Sequence, residues 1–297
     1  MKLLMVSSDY PGDDGNWETM ELLKKEAKGK FSQVDAVPIK DIIMKVEGKS
    51  YLGFSISYKN LQLLKYDYLL PKISGHVADL AYRVFKYFET FEMKKPYGSE
   101  TILTCHNKFS TLYSLKSHGL PVPLTYYTSS QKSAEDVLSR MSYPIVIKLV
   151  GSEGGKGVLF ANNIESARSA VSTLSSMGQE LLIEECIENP GEDIRILIIG
   201  DEWFAMKRVA KKGEKRANIS LGGRGERYTP TKEQLDIAFK AAKLIGSKIC
   251  GVDMMESEKG DYIIEANINP GLKGITKATN VNIAKKMIDF CYNEVKK

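Results

Sequence analysis

The chain is predicted to be an α/β protein: an N-terminal open α/β domain followed by two α+β subdomains. Three observations predict it. Short apolar runs alternate with helix-period stretches through residues 1–104. Farther on, apolar runs occur in pairs joined by glycine-containing turns, with helical stretches between the pairs. The 297 residues, 43% of them hydrophobic, are enough for a sizeable core and more than one folding unit. The expected boundaries are 1–104, 105–186 and 187–297.

In chain order, Leu3–Ser7 reads as a buried first strand entering a loop, Ser7 to Gly15. That loop lies at the carboxyl end of the strand, where open α/β sheets bind ligands. WETMELLKKEAKGK follows as an amphipathic helix and YDYLLPKIS as a second strand. In VADLAYRVFKYFETF the residues Val77, Leu80, Ala81, Val84, Phe85 and Phe88 recur at helical spacing and predict a helix packed on the sheet. Phe109–His118 is a short helix stopped by Gly119 and Pro121. SAEDVLSRM is a helix with Ser133 as its N-cap, and NIESARSAVSTLSSMG is another, ended by Gly178. Strands are expected at Ile145–Lys148, Val158–Phe160 and in the buried run LLIEECI. DIRILIIGDEWFAMKRVA reads as a hairpin turning at Gly200-Asp201. EQLDIAFKAAKLIG is an amphipathic helix, and NIAKKMIDFCYNEV closes the chain.

Composition narrows the function. No apolar run approaches the ~20 residues that span a bilayer, and the start MKLLMVSSDYPGDD turns acidic too early for a signal peptide. A cytoplasmic protein that contacts no membrane is expected. Cys105, Cys186, Cys250 and Cys291 are widely spaced, with no CxxC pair, and read as small buried hydrophobes in a reducing compartment rather than zinc ligands. The balance of 42 Lys+Arg against 37 Asp+Glu, net +5, falls short of a nucleic-acid footprint. The cations concentrate in KRVAKKGEKRANISLGGRGER, Lys207 to Arg227. This segment reads as a solvated basic loop, an RNA-binding loop, or a mobile lid with Gly222, Gly223 and Gly225 as hinges.

The segment GVDMMESEKGDYIIEANINPG carries the most chemistry. Two apolar runs joined by a polar turn ending in Gly260 form a hairpin signal. Glu265 and Asn267, two apart on a strand, share a face, and Asp253 on the partner strand can sit across from them. Two carboxylates and an amide oxygen make an all-oxygen set suited to Mg²⁺. Earlier in the chain, YPIVIKLVGSEGGKGVLF carries Lys148 among Ile145, Val146 and Ile147. A lysine inside a strand needs an anion to meet it, and the following loop Gly151–Gly157 has free backbone N–H groups suited to phosphate. It is not a Walker loop, because Gly157 follows Lys156 where Ser or Thr would stand.

Taken together and in this order, Lys148 with GSEGGKGV, LLIEECIENPGEDIRI, KRANIS and GVD…EANINPGLKG resemble the ATP-grasp fold, and within it the RimK-like ligases. The resemblance runs from Cys105 to the C-terminus and includes NKFSTLYSLKSHGLPVPLT as an opening segment with Lys108. It implies two subdomains clasping ATP, with Mg²⁺ or Mn²⁺, two ions, on Asp253, Glu265 and Asn267. It implies that Lys108 and Lys148 hold the α- and β-phosphates and that Ser152, Gly154 and Gly155 close over them. Adenine would lie beside Glu184, Glu185, Cys186 and Ile187, with Asp193 on the ribose hydroxyls. Arg195, Arg216 and Asn218 would stand near the transferring phosphate, Arg216 stabilising the acyl phosphate and the tetrahedral intermediate. The chain departs from the family pattern around Ile268 and Asn269, where relatives often carry a smaller residue, and Lys273 beyond is a candidate clamp for a substrate carboxylate.

The implied function is ATP-dependent carboxylate–amine ligation through an acyl phosphate. It would add glutamate, or another amino acid, to a carboxylate-bearing cofactor, peptide or protein. The alternatives are a D-alanine- or glutathione-type ligation and an ATP-binding module without turnover. The resemblance also implies a homodimer or homotetramer.

Overall fold

The computed structural model describes the chain apart from Asp14, residues 49–52, Ser152, Glu153 and Lys156. Its N-terminal part runs β1 (Lys2–Ser7), α1 (Asn16–Ala27), β2 (Gln33–Pro38), β3 (Ile43–Val46), β4 (Phe54–Tyr58), β5 (Leu61–Gln62), β6 (Tyr68–Lys72) and α2 (Ala78–Glu89). β1 pairs in parallel with β2 and with β6, giving the order β2-β1-β6. A parallel sheet is covered on both faces, which explains why Leu3, Leu4, Met5 and Val6 are all fully buried. Alternation divides them. Leu3 and Met5 pack with Trp17, Met20 and Leu23 of α1, whereas Leu4 and Val6 pack with Val84, Phe85 and Phe88 of α2. A small antiparallel sheet, β3-β4-β5, was absent from the sequence reading.

Next come α3 (Ser99–Cys105) and α4 (Lys108–Ser117). The Asn107 side chain caps α4 by accepting the Ser110 N–H at 2.9 Å. The middle of the chain folds as β7 (Thr125–Thr128), α5 (Gln131–Leu138), β8 (Ile145–Leu149), β9 (Val158–Ala161), α6 (Ile164–Ser176) and β10 (Leu181–Glu185). Its antiparallel sheet has the order β7-β10-β8-β9. Ser133 is not the cap of α5, as expected from sequence. Ser130 is, and its hydroxyl accepts the Ser133 N–H, because the helix begins three residues earlier. Asn163 and Ser166 form a reciprocal capping box on α6.

The C-terminal part comprises β11 (Glu192–Ile199), β12 (Glu202–Val209), β13 (Arg224–Arg227), α7 (Lys232–Leu244), β14 (Ile249–Met255), β15 (Tyr262–Asn267), α8 (Lys273–Thr279) and α9 (Ile283–Lys296). The strands form one antiparallel sheet in the order β13-β12-β11-β14-β15. Both predicted hairpins are present, with Gly200 at φ +60° in the first turn. The basic segment Lys207–Arg227 is not one loop: its ends belong to β12 and β13, which pair with each other. Among the described residues, no helix is long and apolar enough to cross a membrane.

The cores unite the two ends of the chain. Ile194, Ile196 and Ile198 of β11 join Leu4, Val6, Phe85 and Phe88 in one apolar cluster with Ala238 and Ala241 of α7. Leu197 and Ile199, on the other face, join Leu3, Met5 and Trp17 with Ile283, Met287 and Ile288 of α9. The middle sheet has its own core, where Ile145, Ile147, Leu181 and Ile183 meet Ala134, Leu138, Ala167 and Val171 of α5 and α6.

Because the terminal sheets share their cores, they should unfold together. Trp17 and Trp203 report on one sheet each, and single-tryptophan variants should show coincident urea transitions. Phe85→Ala should destabilise both by the same ~3–5 kcal/mol. Separate midpoints would show that the shared core does not couple the two sheets.

Candidate active site

A cleft separates the middle sheet from the C-terminal one, and most of the predicted site residues line it. On the first wall, Lys148 of β8 stands opposite Leu182 of β10, so Glu184 two residues on shares its face. The Lys148 Nζ lies 2.5 Å from Glu184 Oε2, and Glu184 is only 2% exposed. The anion that a strand lysine requires is therefore supplied by the protein itself, and Glu184 is not a surface charge. Glu184 Oε1 is buried with no hydrogen-bond partner among the described residues. Next to it, Glu185 is engaged with Leu124. Its carboxylate accepts the Leu124 N–H at 2.7 Å, and its own N–H donates to the Leu124 carbonyl at 3.0 Å. Cys186 and Ile187 follow at the strand's end and line the cleft.

The second wall carries a row of charges that crosses four strands. Asp193 of β11 faces Arg208 of β12, Arg195 of β11 faces Asp253 of β14, and Asp253 faces Glu265 of β15. Arg208 forks onto Asp193 at 2.5 and 2.7 Å, and its Nη2 also donates to Asp253 at 2.7 Å. Arg195 forks onto Asp253 with two bonds of 2.6 Å. Burial alone would push the Asp253 carboxyl up, but Arg195 and Arg208 outweigh it and hold it below the usual carboxylate range. Burial opposes the Arg208 charge too, and Asp253 with Asp193 more than restores it. The carboxylate of Glu265, a half-buried residue, makes no hydrogen bond or ion pair with a described residue. Asn267 stands opposite Gly251, and its Oδ1 accepts the Asn269 N–H at 2.7 Å. An unengaged carboxylate, a shared carboxylate and an amide oxygen on adjoining strands fit a hard divalent cation.

The basic segment docks across the cleft onto the glycine loop. Arg216 donates to the Gly155 carbonyl at 3.2 Å, and the Ser220 hydroxyl donates to Gly154 at 3.2 Å. Gly155 has φ +77°, and a Cβ there would collide with the Asn218 amide, so only glycine fits. Arg216 also forks onto Glu214 at 2.6 and 2.9 Å and holds that carboxyl down at about 2. Lys215 sits over the Phe160 ring, 5.3 Å from its centroid. Ser152 lies outside the described residues.

A second cleft adjoins the first, between the carboxyl ends of β1 and β6 and the loop after β15. Lys108, Gly154, Arg208, Asn218 and Glu265 border both clefts, whereas Arg195 and Asn267 border only the second. Lys72, at the end of β6, is 2% exposed there, and its Nζ donates to the Pro270 carbonyl at 2.9 Å. Burial pulls its ammonium down to about 7, with Asp9 opposing. Asn16 donates to Ser8 and Ser74 at 2.9 and 2.7 Å, and Asn269 donates to Asn16 at 2.9 Å. Lys273, predicted as a substrate clamp, ion-pairs Glu18 at 2.5 Å.

Sequence reasoning missed Arg208, Lys72, Asn16 and Asn269. Arg208 carried a signal: it stands two residues after the apolar Met206 on a strand and so shares its buried face, a charge among apolar residues like Lys148. Lys72 ends the apolar run YLLPK and carried the same one.

Residues 105–291 match the model of the RimK-like ATP-grasp domain. A probable alpha-L-glutamate ligase of Legionella pneumophila (strain Corby) is 36% identical over 234 residues, 78% of each chain. One from Pectobacterium carotovorum subsp. carotovorum is 29% identical over 293 residues, 98% of this chain and 94% of its own. Among solved structures, the ATP-grasp ligase PsnB, complexed with a phosphomimetic variant of minimal precursor, Mg and ADP, superposes with a TM-score of 0.74 at 15% identity. That match covers 99% of this chain and 98% of PsnB. The D-alanine–D-alanine ligase of Bacillus anthracis, complexed with ATP, gives 0.73 at 16% identity, covering 100% and 97%. At these identities the structural matches establish the fold, and the sequence matches establish the family: the chain belongs to the RimK-like ATP-grasp family.

Proposed function

We propose that this ATP-grasp ligase joins the amine of glutamate to a carboxylate on a cofactor, peptide or protein, forming an amide with release of ADP and phosphate. The observation that carries the reading is the convergence, on one cleft between two sheets, of Lys148, Arg216 and Asn218 with the Asp253–Glu265 acid pair. The relatives' names, probable alpha-L-glutamate ligase, support glutamate as the incoming amino acid. The acceptor carboxylate attacks the γ-phosphorus of ATP, ADP leaves, and the acyl phosphate then loses phosphate to the attacking amine, which gives up a proton. Phosphoryl transfer of this kind needs positioning and charge neutralisation more than covalent help.

The geometry supports a role for each residue in this reading. Lys148, fixed by Glu184, presents one donor face to the phosphates, and Lys108 borders the same cleft. Gly154 and Gly155 bring backbone to the phosphates while Arg216 and Ser220 pin that loop. With Glu185 engaged by Leu124, reading of the adenine edge falls to Cys186 and Ile187. Asp193 lies at the ribose end, oriented by Arg208. Glu265, Asn267 and Asp253 would hold Mg²⁺ or Mn²⁺, as two ions, whose charge neutralises the phosphates. Arg195 and Arg216 flank the transferring group. The reading keeps the three-part division at 104/105 and 186/187, a cytoplasmic location and a homo-oligomer.

The test is Mg²⁺-dependent ADP release with mass detection, supplying each common amino acid and a panel of carboxylate acceptors. A product heavier by one glutamate residue supports the reading, and ATP binding without turnover across the panel goes against it. Glu265→Gln should cut ADP release at least ~10²-fold with little change in melting temperature, because its carboxylate makes no bond to lose. Full turnover by that variant would remove Glu265 from the metal site. Arg208→Met should instead cost ~3–5 kcal/mol in urea unfolding, because it leaves Asp193 buried without its partner. Wild-type stability would show that the charge row is dispensable to the fold.

A further inference from the structure

We propose that Lys72 seats a substrate carboxylate that does not itself react, in the second cleft, beside the reacting centre. The inference rests on the ligase reading and names what its second cleft takes.

Lys72 ends β6 at the carboxyl edge of the parallel β2-β1-β6 sheet, where such sheets leave room for ligands. Only 2% exposed, it nevertheless borders the cleft. Its Nζ makes one hydrogen bond among the described residues, to the Pro270 carbonyl, and none of their carboxylates lies within ion-pair distance. Asp9, the acid whose charge reaches it, is already engaged by the Asn16 N–H at 2.9 Å and the Ser8 hydroxyl at 2.8 Å. Burying an ammonium on one neutral acceptor is costly unless an anion completes it.

A second, independent mismatch lies next to it. Asn269 borders the same cleft, its Nδ2 is held by Asn16, and its Oδ1 is buried with no hydrogen-bond partner among the described residues. Asn269 immediately precedes Pro270, the acceptor of Lys72, so the lone cation and the lone acceptor are neighbours. A carboxylate and an N–H donor are what the two lack, and an amino acid carries both. Arg195, Glu265 and Asn267 border this cleft too, which puts the bound molecule beside the proposed metal site.

Two substrates have a carboxylate to offer: the incoming glutamate and an acceptor bearing a second acid group. Calorimetric titration with Mg²⁺ and β,γ-imido-ATP present separates them. L-glutamate probes the first, and N-acetyl-L-glutamate, whose amine is blocked, the second. Lys72→Met should weaken at least one of them by ~10–100-fold, the loss expected for a charged hydrogen bond, with β,γ-imido-ATP binding unchanged. Lys72→Arg should recover part of the loss. The melting temperature of Lys72→Met should hold or rise, because a buried cation has been removed. Lys72→Gln, which keeps a donor for Pro270, repeats the test if the methionine variant does not fold. The proposal is overturned if neither probe binds the wild type, or if both bind Lys72→Met within twofold of wild type. It is equally overturned if the variant loses thermal stability while keeping both affinities, which is the signature of a lysine that only ties down the Pro270 loop. Failure of the wild type to bind β,γ-imido-ATP would instead sink the ligase reading.

Discussion

Arg208 stands between Asp193 and Asp253 almost without solvent, and the placement of both buried aspartates on the second wall follows from it. Two carboxylates on neighbouring strands of one sheet face repel each other and carry a desolvation cost. A planar guanidinium that forks onto one and reaches the other removes both problems in a single geometry. Arg195 completes the balance from the far side of Asp253, so the row holds two arginines and two aspartates. Glu265, at the end of the row, has no such partner. A divalent ion at the proposed site would therefore meet one uncommitted carboxylate and one that it must share with arginines. That arrangement disfavours a bare cation and favours one arriving with phosphate, whose oxygens can take up the released guanidinium donors.

The walls of the first cleft belong to different cores. The C-terminal sheet shares its apolar clusters with the N-terminal sheet, whereas the middle sheet closes on its own helices. Polar bonds from Arg216 and Ser220 to the glycine loop span the cleft. Each contributes about 0.5–1.5 kcal/mol net, far less than either core. The separation of the walls is thus a low-energy coordinate, suited to admitting a nucleotide and closing over it. Glu214 bears on the same coordinate, because it holds the Arg216 fork that phosphate would otherwise take.

Much of this was legible in the sequence where local pattern and site coincide. The β14–β15 hairpin could be read because a two-residue spacing fixes which side chains share a face, and Asp253 duly faces Glu265. The helix from Val77 to Phe88 was legible because its apolar stripe is unbroken. The partner of Lys148 was not, since Glu184 becomes its neighbour only through the β8–β10 register, which no local signal sets. For the same reason Arg208 passed for part of a basic loop: its buried contacts come from two other strands. β7 is four residues long, and α8 is a seven-residue helix, both too short for periodicity to show. Ser133 was expected as the cap where Ser130 is, because a cap is defined by backbone geometry that neighbouring serines do not announce.

The N-terminal sheet is tied to the proposed metal strand through a chain of side-chain hydrogen bonds. Ser74 accepts from Asn16, Asn16 accepts from Asn269, and the Asn269 N–H fixes the oxygen of Asn267. These bonds run from beyond the carboxyl edge of β6, through Asn16 at the start of α1, to the strand proposed to hold the metal. Ser74, Asn16, Asn269 and Asn267 all border the second cleft. A change of shape in the N-terminal loops therefore reaches the proposed metal strand by two hydrogen-bonded steps rather than through the core. If the second cleft holds the acceptor as proposed, an N-terminal substitution that alters the acceptor should alter the phosphoryl-transfer step with it.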